Sequence, residues 1–245
     1  MQDAMTTAIQ SMHNDKTRLE AAGGNLANLT TPGYKRSVST TQSFTDYLSV
    51  AGYGGGARLP FPVMMPTVVH ATDHKAGNMR FTGNPMDLAI SGQGYFEVAT
   101  PTGSAFTRKG SFRVDERGRL VNDQGYPLMG QGGELLIASS EPAIDGTGQV
   151  TDAGKVVGQI KTTQFSDVQS MVKIDAGLYQ QGNAQPVPSD GESRVLQGYL
   201  EDSNVDSTAE MVGLIETMRH FEAAQRIVQG YDEVLGKAID KLGQL

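Results

Sequence analysis

The sequence contains no cysteine, which removes disulfide staples, thiolate-bound zinc and a cysteine nucleophile at once. Tryptophan is also missing, and phenylalanine and tyrosine contribute only eight residues each to a chain of 245. Charged residues make up 19%, below the usual globular share. With 30 glycines alongside, this composition favours many turns and short strands around a small core over an enzyme with a deep pocket. No run of basic residues occurs, and the net charge of -7 argues against a nucleic-acid partner or a membrane-surface patch. No uninterrupted apolar stretch is long enough to cross a bilayer, so no transmembrane segment is expected. The start, Met1-Gln2-Asp3, lacks a basic n-region, so a cleavable signal peptide is not expected either. Work outside the cytoplasm would then need another export route.

What is present is one apolar rhythm, written at both ends. Met5, Ala8, Met12, Asp15, Leu19, Ala22, Leu26 and Leu29 fall at alternating steps of three and four. Met211, Leu214, Met218, Phe221, Gln225, Val228, Asp232, Leu235, Ile239 and Leu242 continue the same pattern at the other end. Such spacing places an apolar seam along a helix, suited to pairing with another helix, in the same chain or in further copies. Gln225 and Asp232 are the polar positions of the second seam, where a polar residue fixes register at a cost in stability. From residue 199 onward nine acidic residues face four basic ones, a balance of -5, whereas residues 1–36 carry three acidic and four basic, +1. This is a weak bias towards pairing unlike ends, which salt would screen.

The first helix is predicted over residues 3–29, ending before Pro32 because Thr31 is pushed towards extended geometry. The second is predicted over 208–245, with Ser207 or Asp206 as N-cap. Gly23-Gly24 weakens the first helix and leaves room for a neighbouring backbone. Between the ends, residues 37–80 are rich in Ser, Thr, Gly and Pro with no persisting period, an extended connector holding one short helical piece at 44–48. Residues 81–197 read as antiparallel β-structure: short apolar runs at 87–90, 95–98, 105–109, 112–114, 135–138, 156–164 and 171–174, and a last run at 194–200 that leads out of it. The fold class expected is therefore α+β. Two terminal helices (1–36 and 198–245) form a coiled-coil-like assembly domain, and a connector (37–80) and a small β-barrel or sandwich (81–197) are inserted between them.

The search for chemistry yields little. His70 and His74 stand four apart, a spacing two metal ligands can use, but beside Pro66 and Gly77 a solvated loop is the better reading. The glycine-rich stretch 52–56 lacks the strand before and helix after that a phosphate-binding loop needs. Ser91 lacks the flanking glycines of a nucleophile elbow. Glu201-Asp202, just ahead of the second helix, read as cap and surface. No catalytic residue, metal, cofactor or small-molecule substrate is expected.

Several stretches resemble a known family. Asn25-Leu26-Ala27-Asn28 with Thr31-Pro32-Gly33-Tyr34-Lys35 is similar to the N-terminal signature of bacterial flagellar rod and hook proteins. Gly83-Asn84-Pro85-Met86-Asp87-Leu88-Ala89-Ile90, then Gly92-Gln93-Gly94-Tyr95-Phe96 and Phe106-Thr107-Arg108-Lys109-Gly110-Ser111-Phe112, resemble its middle. Gly198-Tyr199-Leu200-Glu201, Ser203-Asn204-Val205, Glu210-Met211-Val212 and Arg219-His220-Phe221-Glu222 resemble its end. Length and the single modest β-domain look like a rod rather than a hook member. The ending 225–239 is most similar to the F-type proximal-rod branch, with the G-type distal-rod branch its close rival. Gly24-Asn25 and Leu29-Thr30 depart from the commonest family form.

The resemblance implies a structural subunit of the flagellar basal-body rod, the periplasmic drive shaft. It implies export by the flagellar type III apparatus, and contacts with other copies and with neighbouring rod proteins. It marks Asn25, Asn28, Pro32, Gly33, Tyr34, Glu201, Asn204, Val205, Arg219 and Glu222 as family positions. The seams nominate Met5, Met12, Leu19, Leu26, Leu214, Met218, Phe221, Val228, Leu235 and Ile239 as subunit-packing residues. A secreted β-domain binding module is the reading from another class; it would need an exposed aromatic cluster, and the middle offers only scattered Tyr and Phe.

Overall fold

The structure, a computed structural model, describes residues 2–42, 67–139, 142–175, 177–188 and 193–242. They fall into two compact units. The first contains helix α1 (Gln2–Ala27), strands β1 (Ser37–Gln42) and β2 (Thr67–Thr72), and helix α2 (Ser207–Leu242). The second contains residues 28–36 and 73–205.

In the first unit, α1 and α2 pack along one another. At 26 and 36 residues they extend about 39 and 54 Å at 1.5 Å per residue. Asp206 is the N-cap of α2: its Oδ1 accepts the N–H of Thr208 at 2.9 Å and of Ala209 at 3.2 Å. On α1 the expected seam is the packed face, with Ala8 and Asp15 buried and Met5, Met12, Leu19, Ala22 and Leu26 half-buried.

On α2 the packed face differs from the expected one. Glu210 and Ala224 are buried, and Leu214, Thr217, Phe221, Val228 and Tyr231 are half-buried, again at steps of four and three. Leu214, Phe221 and Val228 belong to both patterns, but Met211, Met218, Gln225 and Asp232 stand exposed. Small Thr217 and Ala224 allow closer helix approach than methionines would, so the packed face turns towards them by one residue. Gln225 and Asp232 are therefore not on the face that α1 covers. On α1 a polar residue does sit on the seam: Asp15, whose Oδ2 lies 2.5 Å from His220 Nδ1. The side chains of Leu235, Ile239 and Leu242 lie outside the described residues.

Strands β1 and β2 pair antiparallel from Ser37↔Thr72 to Gln42↔Thr67, where the sequence predicts no strand. The run Ser-Val-Ser-Thr-Thr-Gln carries too few apolar residues to show a period of two. The expected helical piece at 44–48 lies outside the described residues. A Cβ added at Gly23 or Gly24 meets nothing within 4 Å, so no described backbone uses the space they leave.

The second unit is antiparallel throughout its described pairings. The largest sheet has six strands in the order β15 (Val172–Asp175), β16 (Leu178–Gln180), β6 (Gly103–Thr107), β5 (Tyr95–Thr100), β14 (Thr162–Phe165) and β17 (Pro186–Val187). A three-stranded sheet joins β11 (Ala143–Ile144), β12 (Gln149–Asp152) and β13 (Lys155–Gln159). Two-stranded pairs link β4 (Leu88–Ser91) with β18 (Arg194–Gln197) and β3 (Met79–Phe81) with β19 (Tyr199–Glu201). Others link β7 (Arg113–Val114) with β8 (Leu120–Val121), and β9 (Met129–Gly130) with β10 (Gly133–Glu134).

Alternation along β5 and β6 gives two cores. Phe96, Val98 and Ala105 join Leu88, Ile90, Phe112 and Leu120 in one cluster. Tyr95 and Phe106, one residue away, join Phe165, Met171 and Tyr179 in another. Two predicted single strands are each divided in two. The run 194–200 breaks at Gly198, whose φ of +77° turns the chain from pairing with β4 to pairing with β3. The run 156–164 becomes β13 and β14. Residues 135–138 form no strand, with Leu135 and Ile137 buried and Leu136 58% exposed.

Candidate functional site

The segment after α1 has no regular structure, yet it holds some of the most enclosed side chains in the second unit. Gly33 adopts φ +67°, and a Cβ there would lie 2.3 Å from the Arg108 carbonyl carbon, so only glycine fits. Its N–H donates to the Glu201 carbonyl at 2.6 Å. Tyr34 is buried, with Lys173 Nζ 4.4 Å from its ring centre.

Next comes Lys35, fully buried. Its ammonium donates to Glu201 Oε1 at 2.5 Å and to the Lys75 carbonyl at 2.7 Å. Glu201 Oε1 also accepts the Gly77 N–H at 2.9 Å, and Oε2 accepts Arg108 Nη1 at 3.2 Å. Arg108 donates further to the carbonyls of Ile90 at 3.0 Å and Gly92 at 2.8 Å, and its guanidinium lies over the Tyr95 ring. Two buried cations thus share one buried carboxylate. Burial pulls the Lys35 ammonium below the ordinary lysine range, and the Glu201 charge opposes that pull.

Asn204 closes the arrangement. Its Oδ1 accepts the Arg36 N–H at 2.7 Å, while Nδ2 donates to the carbonyls of Asp73 at 2.7 Å and Lys75 at 3.0 Å. Val205 beside it is buried. In the first unit Asn25 acts in the same manner: its amide brackets Ser37, donating to the carbonyl and accepting the N–H, both at 2.8 Å.

The structure therefore brings Gly33, Tyr34, Glu201 and Asn204 into one place, with Pro32 and Val205 flanking. Asn28 accepts the Thr31 hydroxyl at 3.1 Å. Arg219 and Glu222 stand exposed on α2. Glu201 is not the surface residue that its place before a helix implies; it is 1% exposed and central. Lys35 and Arg108 were not singled out from sequence, although both lie within family-like stretches. The only signal was a basic residue inside an otherwise aromatic and glycine-rich motif.

His74 is likewise no solvated loop residue. It is half-buried, shares a 2.7 Å hydrogen bond with the Tyr95 hydroxyl and leans on the Tyr179 ring. Burial first, and then the Lys35 charge, hold its imidazole down to about 4. Burial pushes the Tyr95 phenol up to about 12. His70 sits on β2 opposite Ser39.

Buried and paired, the Lys35–Glu201–Arg108 cluster is a structural lock rather than a reactive centre. Among the described residues no group of three or more His, Asp or Glu could hold a metal ion, and no helix is long and apolar enough to cross a membrane.

Comparison with known proteins agrees with this character. Residues 196–241 match the model for the flagellar basal body rod FlgEFG protein C-terminal region, and residues 89–185 match the flagellar hook protein FlgE/F/G D1 domain. The flagellar basal-body rod protein FlgG of Bacillus subtilis is 31% identical, over 97% of this chain and 98% of that protein. The flagellar basal-body rod protein FlgF of Mesorhizobium japonicum is 28% identical over 99% of each chain, and that of Escherichia coli 29% over 97% of each. With near-complete coverage at this identity, the chain belongs to the flagellar basal-body rod protein family and is a structural subunit, not an enzyme.

Proposed function

We propose that this chain is a proximal-rod subunit, polymerising through its terminal helices into the periplasmic shaft that carries motor torque to the hook. Its partners are other copies and neighbouring rod proteins, and the flagellar type III apparatus exports it. The observation that carries the reading is an apolar row on α2 beside the face already used by α1. Met211, Ile215 and Met218 follow at i, i+4 and i+7 and are 53%, 51% and 47% exposed. Ile9 on α1 and Ile227 on α2 are also about half exposed. Covering the exposed half of such a side chain contributes about 1 kcal/mol, at roughly 25 cal/mol per Å². Heterologous contacts of this kind that do not close build a helical array.

In this reading Met5, Met12, Leu19, Leu26, Leu214, Phe221 and Val228 hold the two helices of one subunit together. Met218, with Met211 and Ile215, meets neighbours, and Leu235 and Ile239 are further packing positions. The double substitution Ile215→Asp, Met218→Asp should leave the helical content of the purified subunit unchanged while abolishing rod assembly and swimming. Wild-type motility in that variant would refute the role of the row.

A distal-rod role is the second reading, supported by the 31% identity to the Bacillus subtilis FlgG protein. The proximal assignment rests on the ending 225–239. Expression in strains lacking one or the other rod component separates them, since only the matching strain regains motility.

A further inference from the structure

The helix pair of the first unit turns two apolar surfaces to solvent, and they differ in shape. One is the row Met211, Ile215 and Met218, three long side chains standing out from α2. The other is a groove of about 500 Å³ where α1 and α2 part. Ala8 and Ala224, both buried, lie at its floor. Thr7 and Ser11 edge it on α1, Ala223 and the half-exposed Ile227 on α2, with His220 and Tyr231 towards its ends. Val234, seven residues beyond Ile227 and 58% exposed, extends the apolar side. We infer that this groove is the docking site for the row of a second copy of the chain. Each copy then gives its row to one neighbour and receives the row of another.

Direction is the first argument. At about 100° per residue, the row points about 115° to one side of the face packed on α1, and the groove opens about 75° to the other. The two surfaces are thus about 170° apart around α2. Complementary surfaces on opposite sides make a heterologous contact, which repeats along an array and does not close as a two-fold pair. Pairing row on row would instead leave the groove open.

Chemistry and size agree with this. No residue lining the groove is a carboxylate, a lysine or an arginine, and His220 Nδ1 is already taken by Asp15. Flexible thioether side chains adapt to an irregular apolar gap of that kind. Glu216 and Arg219 flank the row and Glu222 follows its last turn, so a docked row keeps these charges at its border. Three half-exposed side chains cover far less than the roughly 1,000 Å² a stable pair needs. One contact therefore does not hold a dimer, whereas an array in which every copy makes it twice gains from each repeat. The inference rests on the rod reading for the role of the row, and adds what the row meets.

The chain has no cysteine, so introduced thiols report without background. Full-length chains carrying Ile215→Cys or Ala223→Cys alone are mixed at high concentration and treated with a short bis-maleimide. The 215–223 product should exceed the 215–215 product about tenfold, as a preference of about 1.4 kcal/mol gives. A chain carrying both substitutions should give a ladder of dimers, trimers and longer species, and Ser11→Cys should serve in place of Ala223→Cys. Ala223→Glu, which sets a charge in the groove, should cut the 215–11 product about tenfold with circular dichroism unchanged.

A dominant 215–215 product, cross-linking to a different rod protein with none between copies, or a yield indifferent to Ala223→Glu would each overturn the docking. If no cross-link forms while Ile215→Asp, Met218→Asp still abolishes assembly, the docking falls and the rod reading stands. If the ladder forms while that double variant swims normally, the docking stands and the role of the row in the rod falls.

Discussion

Replacing Glu201 by glutamine keeps the shape of the lock and removes only its charge. Lys35 Nζ at 2.5 Å and Arg108 Nη1 at 3.2 Å would then both face a neutral amide, in a place where all three side chains are almost wholly enclosed. Breaking a buried pair by neutralising one partner costs about 3–5 kcal/mol, because the remaining charge stays desolvated. The Gly77 N–H, 2.9 Å from Oε1, keeps an acceptor in the glutamine oxygen, so little is added on that account. With a urea slope of about 2 kcal/mol per molar, the midpoint should fall by roughly 2 M.

The pH dependence provides a second signature. Without Glu201, the charge that opposed the burial effect on Lys35 is gone, and its folded pKa drops further below the unfolded lysine value. The unfolded state then holds that proton more firmly, so the deficit should shrink as pH rises towards about 10.5. Adding Lys35→Met removes the stranded cation, and the double variant should recover at least about 1.5 kcal/mol over Glu201→Gln alone. The assay is urea unfolding followed by circular dichroism and tyrosine fluorescence from pH 7 to 10. A loss below about 1 kcal/mol, with no change over that range and no recovery in the double variant, would refute the lock.

Three further outcomes are expected. Gly33→Ala should cost about 2–4 kcal/mol from its positive φ and the 2.3 Å approach to Arg108, whereas Gly23→Ala, in open helix, should gain about 0.5–1 kcal/mol; thermal unfolding of both checks this. Asn204→Ala should cost about 2 kcal/mol in urea unfolding, since the Arg36 N–H and the Asp73 carbonyl lose this bond together, while the Lys75 carbonyl keeps the Lys35 ammonium. His74, with a folded value of about 4 against the ordinary 6.5, is stabilising when neutral: that contribution is complete above pH 6.5 and is lost as pH falls towards 4, because the unfolded chain takes the proton first. His74→Gln should flatten the stability profile in that window.

The two helices were legible because their apolar steps repeat over many turns and no proline interrupts them. The face of α2 was less so, since large side chains such as Met211 and Met218 attract attention, while Thr217 and Ala224 decide how closely the helices approach. Strand positions around 88–114 followed from glycine punctuation, but β1 and β2 carry no apolar alternation to read. The lock was the least visible. Glu201 meets Lys35 and Arg108 across separations of 166 and 93 residues, and no local pattern distinguishes a carboxylate of that kind from one on a surface. Only the family-like stretches marked the right neighbourhoods, and they did so without naming the charges.

Those separations have a consequence for the order of events as the chain matures. A ribosome that has made residues 1 to 200 has produced both cations and not yet the acid that neutralises them, so the centre of the second unit cannot close until residue 201 has followed. Closure across so long a loop is slow as well as late. The nascent polypeptide is thereby kept from sealing prematurely, by arithmetic of position alone.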